Sequence, residues 1–137
     1  MSWDVSVYAA VSPPPPVEEM PQDWHGDTLG PAEEVRRKIS ACLPGVDWSD
    51  PTWGMYEGDG FSFEFNMSRD PVTSFMIHVR GGGDAVARLL ELASAHPWYL
   101  LDCSEGEWFH HCEHPEAGWQ GFQEYRERVF RCVQDDR

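Results

Sequence analysis

Two groups of residues in this chain have the chemistry to act on another molecule. The first is Cys103, His110, His111, Cys112 and His114, five thiol or imidazole side chains within twelve residues. Six His and four Cys in 137 residues would put about one in such a window. Thiolates and neutral imidazoles are zinc ligands, and His110 with Cys112, or Cys112 with His114, is spaced to chelate locally. No CxxC pair and no finger or ribbon spacing accompanies them, which argues against a closed structural zinc site. The plainer reading is a polar connection between a strand and a helix, with Cys103 packed as a small hydrophobe.

The second group emerges from strand alternation. Phe61, Phe63, Phe65 and Met67 alternate with Ser62, Glu64 and Asn66, and Phe75, Ile77 and Val79 alternate with Met76, His78 and Arg80. Period-2 alternation gives each strand one apolar and one polar face. Pairing Phe63 with Ile77 puts Ser62 opposite His78 and Glu64 opposite Met76, so Glu64 reaches His78 or Arg80 diagonally. Trp3, Val5, Val7 and Ala9 alternate in the same way, which turns Asp4, Ser6 and Tyr8 outward. Tyr8, Glu64, His78 and Arg80 are thus the candidate residues of an enzyme or ligand-binding face, with His78 as acid–base and Arg80 as anion holder. The competing reading is an ordinary solvated sheet face whose charges pair. No nucleophile elbow, HExxH or paired-carboxylate spacing strengthens the enzyme reading.

A third signal is weaker. Gly81-Gly82-Gly83-Asp84 joins a strand to a helix, where backbone N–H groups can hold an anion. It lacks GxGxxG and a Walker lysine, and Asp84 opposes phosphate, so it reads as a flexible turn.

The elements that must position these residues follow from periodicity. A strand over residues 3–9 is followed by a Pro-rich surface loop over 12–30. Pro13 to Pro16 run in sequence and cannot join a central ladder, so this loop reads as a stiff surface connection, pinned by Trp24 and Leu29. Pro31 opens a helix to Leu43 with Ala32, Val35 and Ile39 inward. Asp47 to Pro51 reads as a turn. A strand over 53–57 leads through Gly58-Asp59-Gly60 into the strand at Phe61, and Ser68 to Pro71 turns the chain into the strand at Phe75. The next helix spans 84–96 and buries Val86, Leu89, Leu90 and Ala93, and a last strand covers 98–103. A final helix from Pro115 or Glu116 repeats Trp119, Phe122, Tyr125 or Arg126, Val129 and Cys132 or Val133.

This order, β-α-β-β-β-α-β-α, predicts a single α+β domain over residues 1–137. Its sheet is mainly antiparallel with helices packed on one face, a ferredoxin-like variant with an extra strand and helix.

Composition bounds the partners. Formal net charge is −14, which argues against a nucleic-acid backbone or an anionic membrane surface. No Lys or Arg occurs before Arg36, between Lys38 and Arg69, or between Arg88 and Arg126. Such gaps leave broad anionic surface suited to a basic protein partner. No apolar run approaches the ~18 residues of a membrane span and no targeting segment is visible, so the expected setting is cytoplasmic, with reduced thiols. The expectation is a small acidic cytosolic interaction protein, of inhibitor or immunity type, that masks a basic partner. A ligand-binding or catalytic domain on the polar sheet face is the first alternative, and a metal-binding Cys/His loop over 103–114, with zinc as its ion, the second.

Trp3-Asp4-Val5, Val46-Asp47-Trp48-Ser49-Asp50-Pro51-Thr52-Trp53-Gly54, Gly58-Asp59-Gly60-Phe61-Ser62 and Ser74-Phe75-Met76-Ile77-His78-Val79-Arg80-Gly81-Gly82-Gly83-Asp84 also carry a resemblance, with Gly118-Trp119-Gln120-Gly121-Phe122-Gln123-Glu124-Tyr125-Arg126. They resemble an uncharacterised bacterial family of short hypothetical proteins, outside the Pro-rich loop. The resemblance implies a single bacterial domain and no particular activity. Ser104-Glu105-Gly106-Glu107 departs from the family's Ser-Thr-Gly-Glu, and the cysteine–histidine run after it is peculiar to this chain.

Overall fold

The computed structural model of the chain describes residues 1–135, with side-chain surroundings for residues 1–131. In chain order the elements are β1 (Trp3–Ala9), α1 (Ala32–Cys42), β2 (Asp47–Asp50), β3 (Trp53–Glu57), β4 (Phe61–Asn66), β5 (Phe75–Gly81), α2 (Ala85–Ser94), β6 (Trp98–Asp102), β7 (Glu107–Trp108) and α3 (Glu116–Asp135). Short 3-10 turns cover Val17–Glu19 and Phe109–His111. The strands form one sheet in the order β2-β3-β4-β5-β1-β6-β7, every neighbouring pair antiparallel. The chain is therefore α+β, a seven-stranded antiparallel sheet with three helices.

Two strands exceed the expected order. Asp47–Asp50 does carry turn chemistry: Asp47 accepts from the Ser49 N–H at 2.8 Å, and Asp50 accepts from the Thr52 N–H at 2.9 Å. The same residues nevertheless pair with β3 across a register irregularity. Side-chain turns and an irregular edge strand coexist there because a bulge relaxes the ladder. β7 is two residues long, too short to show a period.

The β4–β5 register also differs from the sequence expectation. Phe63 lies opposite Val79 and Phe65 opposite Ile77, two residues away from the pairing of Phe63 with Ile77. A slip of two keeps every side chain on its face, so alternation cannot discriminate between these registers. The connection from Met67 to Ser74 that joins the two strands is held down at Val72, which bridges Gly30 and is buried.

One face of the sheet holds the core. Val5, Val7, Phe63, Phe65, Ile77, Val79 and Leu100 are buried on it together with Val35 and Ile39 of α1 and Leu89 and Leu92 of α2. In α2 the inward stripe is Ala85, Val86, Leu89 and Leu92. Leu90, expected inside, is 42% exposed. Spacings of three and four from Leu89 continue to Leu92, which leaves Leu90 on the flank.

The third helix closes one end of this face. Trp119 packs 5.5 Å from Trp3, and Phe109 stacks on the same Trp3 ring at 5.9 Å. Trp119 donates its indole N–H to the Gly83 carbonyl, and Gln123 donates to the Gly81 carbonyl. The Gly82 N–H goes to the Gly60 carbonyl at 2.7 Å. The Gly81–Gly83 turn thus serves as a seat for α3. Phe122 packs against the core, whereas Tyr125 is exposed. The expected inward positions Cys132 and Val133 lie outside the residues whose side chains are described.

The Pro-rich connection is tied to the sheet rather than free. Asp27 bridges Ala9, Leu29 donates its N–H to the Val72 carbonyl, and the Pro14 carbonyl accepts from both His110 and His111.

Candidate functional site

The face of the sheet opposite the helices divides into two zones along β1. Asp4 sits in one and Tyr8 in the other. Four residues of strand separate them, roughly 13 Å at 3.3 Å per residue.

The first zone is polar. Asp4, His78 and Glu64 lie directly opposite one another across β1, β5 and β4. His78 Nδ1 is 2.8 Å from an Asp4 carboxylate oxygen, and the Ser2 hydroxyl donates to that oxygen at 2.7 Å. Arg80 donates to Glu64 at 3.3 Å and to the Met1 carbonyl at 2.9 Å. The Trp53 ring stacks on His78, with centroids 5.4 Å apart and planes inclined by 20°. A carboxylate on Nδ1 fixes the ring's orientation and turns Nε2 away from it, an arrangement suited to proton transfer. Among the described residues no side chain hydrogen-bonds to His78 Nε2. Of the four residues singled out on this face, Glu64, His78 and Arg80 come together with Asp4. Tyr8 does not join them.

The second zone is aromatic. Tyr8 meets Trp24 from the Pro-rich connection at 5.7 Å and Trp108 of β7 at 5.5 Å, and the two indoles are 5.8 Å apart. The three planes are inclined to one another by 68° to 71°. All three rings line one cleft of about 610 Å³, together with Asp27, Ser74 and Leu101. Among the described residues no Lys or Arg lines it. The Asp27 side chain is exposed, and among the described residues no hydrogen bond or ion pair engages its carboxylate. Trp108 is 1% exposed, and its buried indole N–H has no partner among the described residues.

Local sequence explains how these residues arrive here. In β7 and the turn after it, Trp108 and Phe109 alternate: Trp108 faces Tyr8 while Phe109 stacks on Trp3 across the sheet. Trp24 is held by its own N–H to the Pro21 carbonyl and by the Asp27–Ala9 bridge that follows. Gly26 allows that approach, since a Cβ there would sit 2.7 Å from the Ala9 carbonyl oxygen.

The five cysteine and histidine candidates are dispersed. Cys103 is exposed, with its sulfur 3.3 Å from the Ser6 hydroxyl. His110 and His111 both direct Nε2 at the Pro14 carbonyl, at 2.9 and 2.7 Å, with ring centroids 4.2 Å apart. Partial burial pushes the His110 imidazole below its usual pKa; the Pro14 carbonyl opposes the shift and the neighbouring His111 adds to it. Cys112 lines a separate cavity of about 150 Å³ beside Asp102 and Gly118. His114 lies 3.4 Å from Glu116. Among the described residues no group of three or more His, Cys, Asp or Glu side chains is placed to hold a metal ion.

Sequence reasoning passed over Asp27 and Trp108, and took Trp24 only as an anchor that pins the Pro-rich loop. Alternation marks only residues inside a strand long enough to count, and Trp24 sits in an aperiodic connection while Trp108 sits in a two-residue strand. The one signal available was Trp24 itself, a large apolar side chain inside a polar, proline-rich stretch.

No protein-family model, curated protein or solved structure matches the chain.

Proposed function

We propose that this chain is an interaction protein that binds and masks a basic protein partner. The observation behind this reading is how the fold assembles its charge. Residues 1–35 and 89–125 contain no Lys or Arg. They become neighbours through the β1–β6 pairing and through the His110 and His111 bonds to Pro14. Around this seam the connection carries Glu18, Glu19, Asp23 and Asp27, all exposed. Adjacent anionic segments focus a field that speeds encounter with a cationic surface and makes the rate fall with salt. A cytoplasmic inhibitor or immunity-type role fits that design.

The β6-β1-β5-β4 order, with a helix on each side of the β3–β5 meander, also supports a ferredoxin-like split βαβ extended by β2, β3 and β7.

The test is affinity capture from the source organism's lysate at low and high salt, followed by binding kinetics with the purified partner. We expect a partner of high isoelectric point whose association rate drops steeply between 50 and about 500 mM salt. Capture of nothing basic, or of a partner indifferent to salt, would count against the reading.

A second reading has one observation in its favour. The Asp4–His78 contact under the Trp53 ring presents an oriented imidazole, which suits acid–base work on a small molecule. A metabolite-library thermal-shift screen tests it, since a ligand bound to the native state raises the melting temperature. A hit retained by a His78→Ala variant would remove His78 from the proposal.

A further inference from the structure

The geometry points to a specific binding site: we propose that the cleft lined by Tyr8 and Trp24, with Trp108 buried behind them, accepts an arginine side chain of the basic partner, with Asp27 as its counter-ion. The inference rests on the preceding reading for the source of that arginine, and on the cleft itself for its chemistry.

Three features select a guanidinium. The negative faces of Tyr and Trp rings attract a cation within about 6 Å of the ring centre, with Trp the strongest. The three rings pack edge to face on one another, and with Trp108 buried the surfaces left to a guanidinium are those of the half-buried Tyr8 and Trp24. Asp27 belongs to the lining and is exposed, no described residue engages its carboxylate, and no Lys or Arg is among the described residues that line the cleft. An arginine also stacks its planar, weakly hydrated group on aromatic faces better than a lysine ammonium does. An anionic ligand fits poorly here, because Asp27 opposes it and His25 is the sole basic side chain among the described residues of the lining.

The alternative role for these rings is to pack the Pro-rich connection onto β1 and nothing more. Packing accounts for Trp108, which is 1% exposed, and does not account for Asp27, whose backbone makes the Ala9 bridge while its side chain is exposed and engaged by no described residue.

The probe is Nα-acetyl-arginine amide, with Nα-acetyl-citrulline amide as its uncharged isostere. Each is titrated into the full chain while the assigned indole N–H resonances are followed by NMR. We expect saturable shifts at Trp24 and Trp108 with the arginine probe at millimolar concentration, about ten-fold weaker binding of citrulline, and about five-fold weaker binding of arginine to Asp27→Asn. That variant keeps the backbone bridge, and its unchanged resonances elsewhere report that it folds. Equal binding of the two probes, or arginine-dependent shifts confined to Trp48 and Trp53, overturns the proposal.

Octa-arginine separates this proposal from the broader reading. If octa-arginine binds wild type and Asp27→Asn alike while the single-residue probe leaves Trp24 and Trp108 unmoved, the acidic surface stands and the cleft assignment falls. If the single-residue probe behaves as expected and octa-arginine gains nothing over it, the cleft stands and the basic-protein reading falls.

Discussion

The indole N–H of Trp3 donates to the carboxylate of Asp102 at 3.0 Å, joining β1 to the end of β6 in a buried contact. The same carboxylate oxygen accepts from the Ser104 N–H and hydroxyl and from the Glu105 N–H, so the turn leaving β6 is organised around it. Hydrogen bonds to a charged group are worth about 1.5–3 kcal/mol each way of counting, and stranding a buried donor costs a similar amount. Asp102→Ala is therefore expected to lose about 3 kcal/mol and Asp102→Asn about half of that. Urea midpoints at unchanged slope measure both. A loss under about 0.5 kcal/mol in Asp102→Ala would mean that the carboxylate only fills space.

Gly118 of α3 lies against that carboxylate. A Cβ at 118 would collide with Asp102 and come within 3.2 Å of the Trp3 ring, whereas a Cβ at Gly121 would meet nothing within 4 Å. Ala in place of Gly gains about 1 kcal/mol of helix propensity, and a core clash costs about 1–3 kcal/mol. Opposite signs follow: Gly121→Ala should stabilise by about 0.5–1 kcal/mol and Gly118→Ala should destabilise, a pair readable by thermal melts.

In α2, Leu92 is fully buried and Leu90 is 42% exposed. Leu92→Ala should cost about 2–5 kcal/mol, as buried leucines do, and Leu90→Ala less than about 1 kcal/mol. Equal losses would show that the helix is rotated about its axis from the arrangement described.

Two imidazoles make stability depend on pH. His96 is pushed below its usual pKa by burial and then by Lys38, and His110 by burial, with Pro14 opposing and His111 adding. The unfolded chain then takes up protons near pH 6.5, before the folded chain does. Their contribution is present above pH 6.5 and is lost as pH falls through the lower folded values. Melting temperature should decline between pH 7.5 and about 5, and a His96→Gln/His110→Gln double variant should flatten that decline. An unchanged slope in the double variant would assign the decline to other groups.

Metal removal should matter little. Both imidazoles of His110 and His111 are committed to Pro14, and Cys103 and Cys112 sit in different surroundings. A structural zinc would couple metal to folding, so a chelator would then lower the melting temperature by many degrees. We expect no change, and well under one zinc per chain by elemental analysis of untagged protein.

The sequence made the core legible and the second face only partly so. Phe61 to Met67 and Phe75 to Val79 announce their strands because burial of one face imposes a period of two. The same period cannot tell a register from one slipped by two residues, so alternation sets Glu64 opposite Met76, whereas its partner in the sheet is His78. Asp47 to Pro51 reads as a turn in sequence because its side chains make the hydrogen bonds of a turn, even though the backbone of Asp47 to Asp50 pairs with β3. The aromatic cleft was invisible for a different reason. Trp24 and Trp108 are 84 positions apart, neither belongs to a periodic segment, and only the closed fold makes them neighbours.

The two close tryptophan pairs lie on opposite sides of the sheet, Trp24 with Trp108 and Trp3 with Trp119. Indoles this near couple their electronic transitions, so each pair is a built-in optical label with its own circular dichroism signature. One label reports the seating of the Pro-rich connection, and the other reports the docking of α3. A Trp24→Phe variant and a Trp119→Phe variant would each silence one of them. Between them, the attachment of the connection and of the last helix to the sheet could be timed separately during refolding, without any added dye.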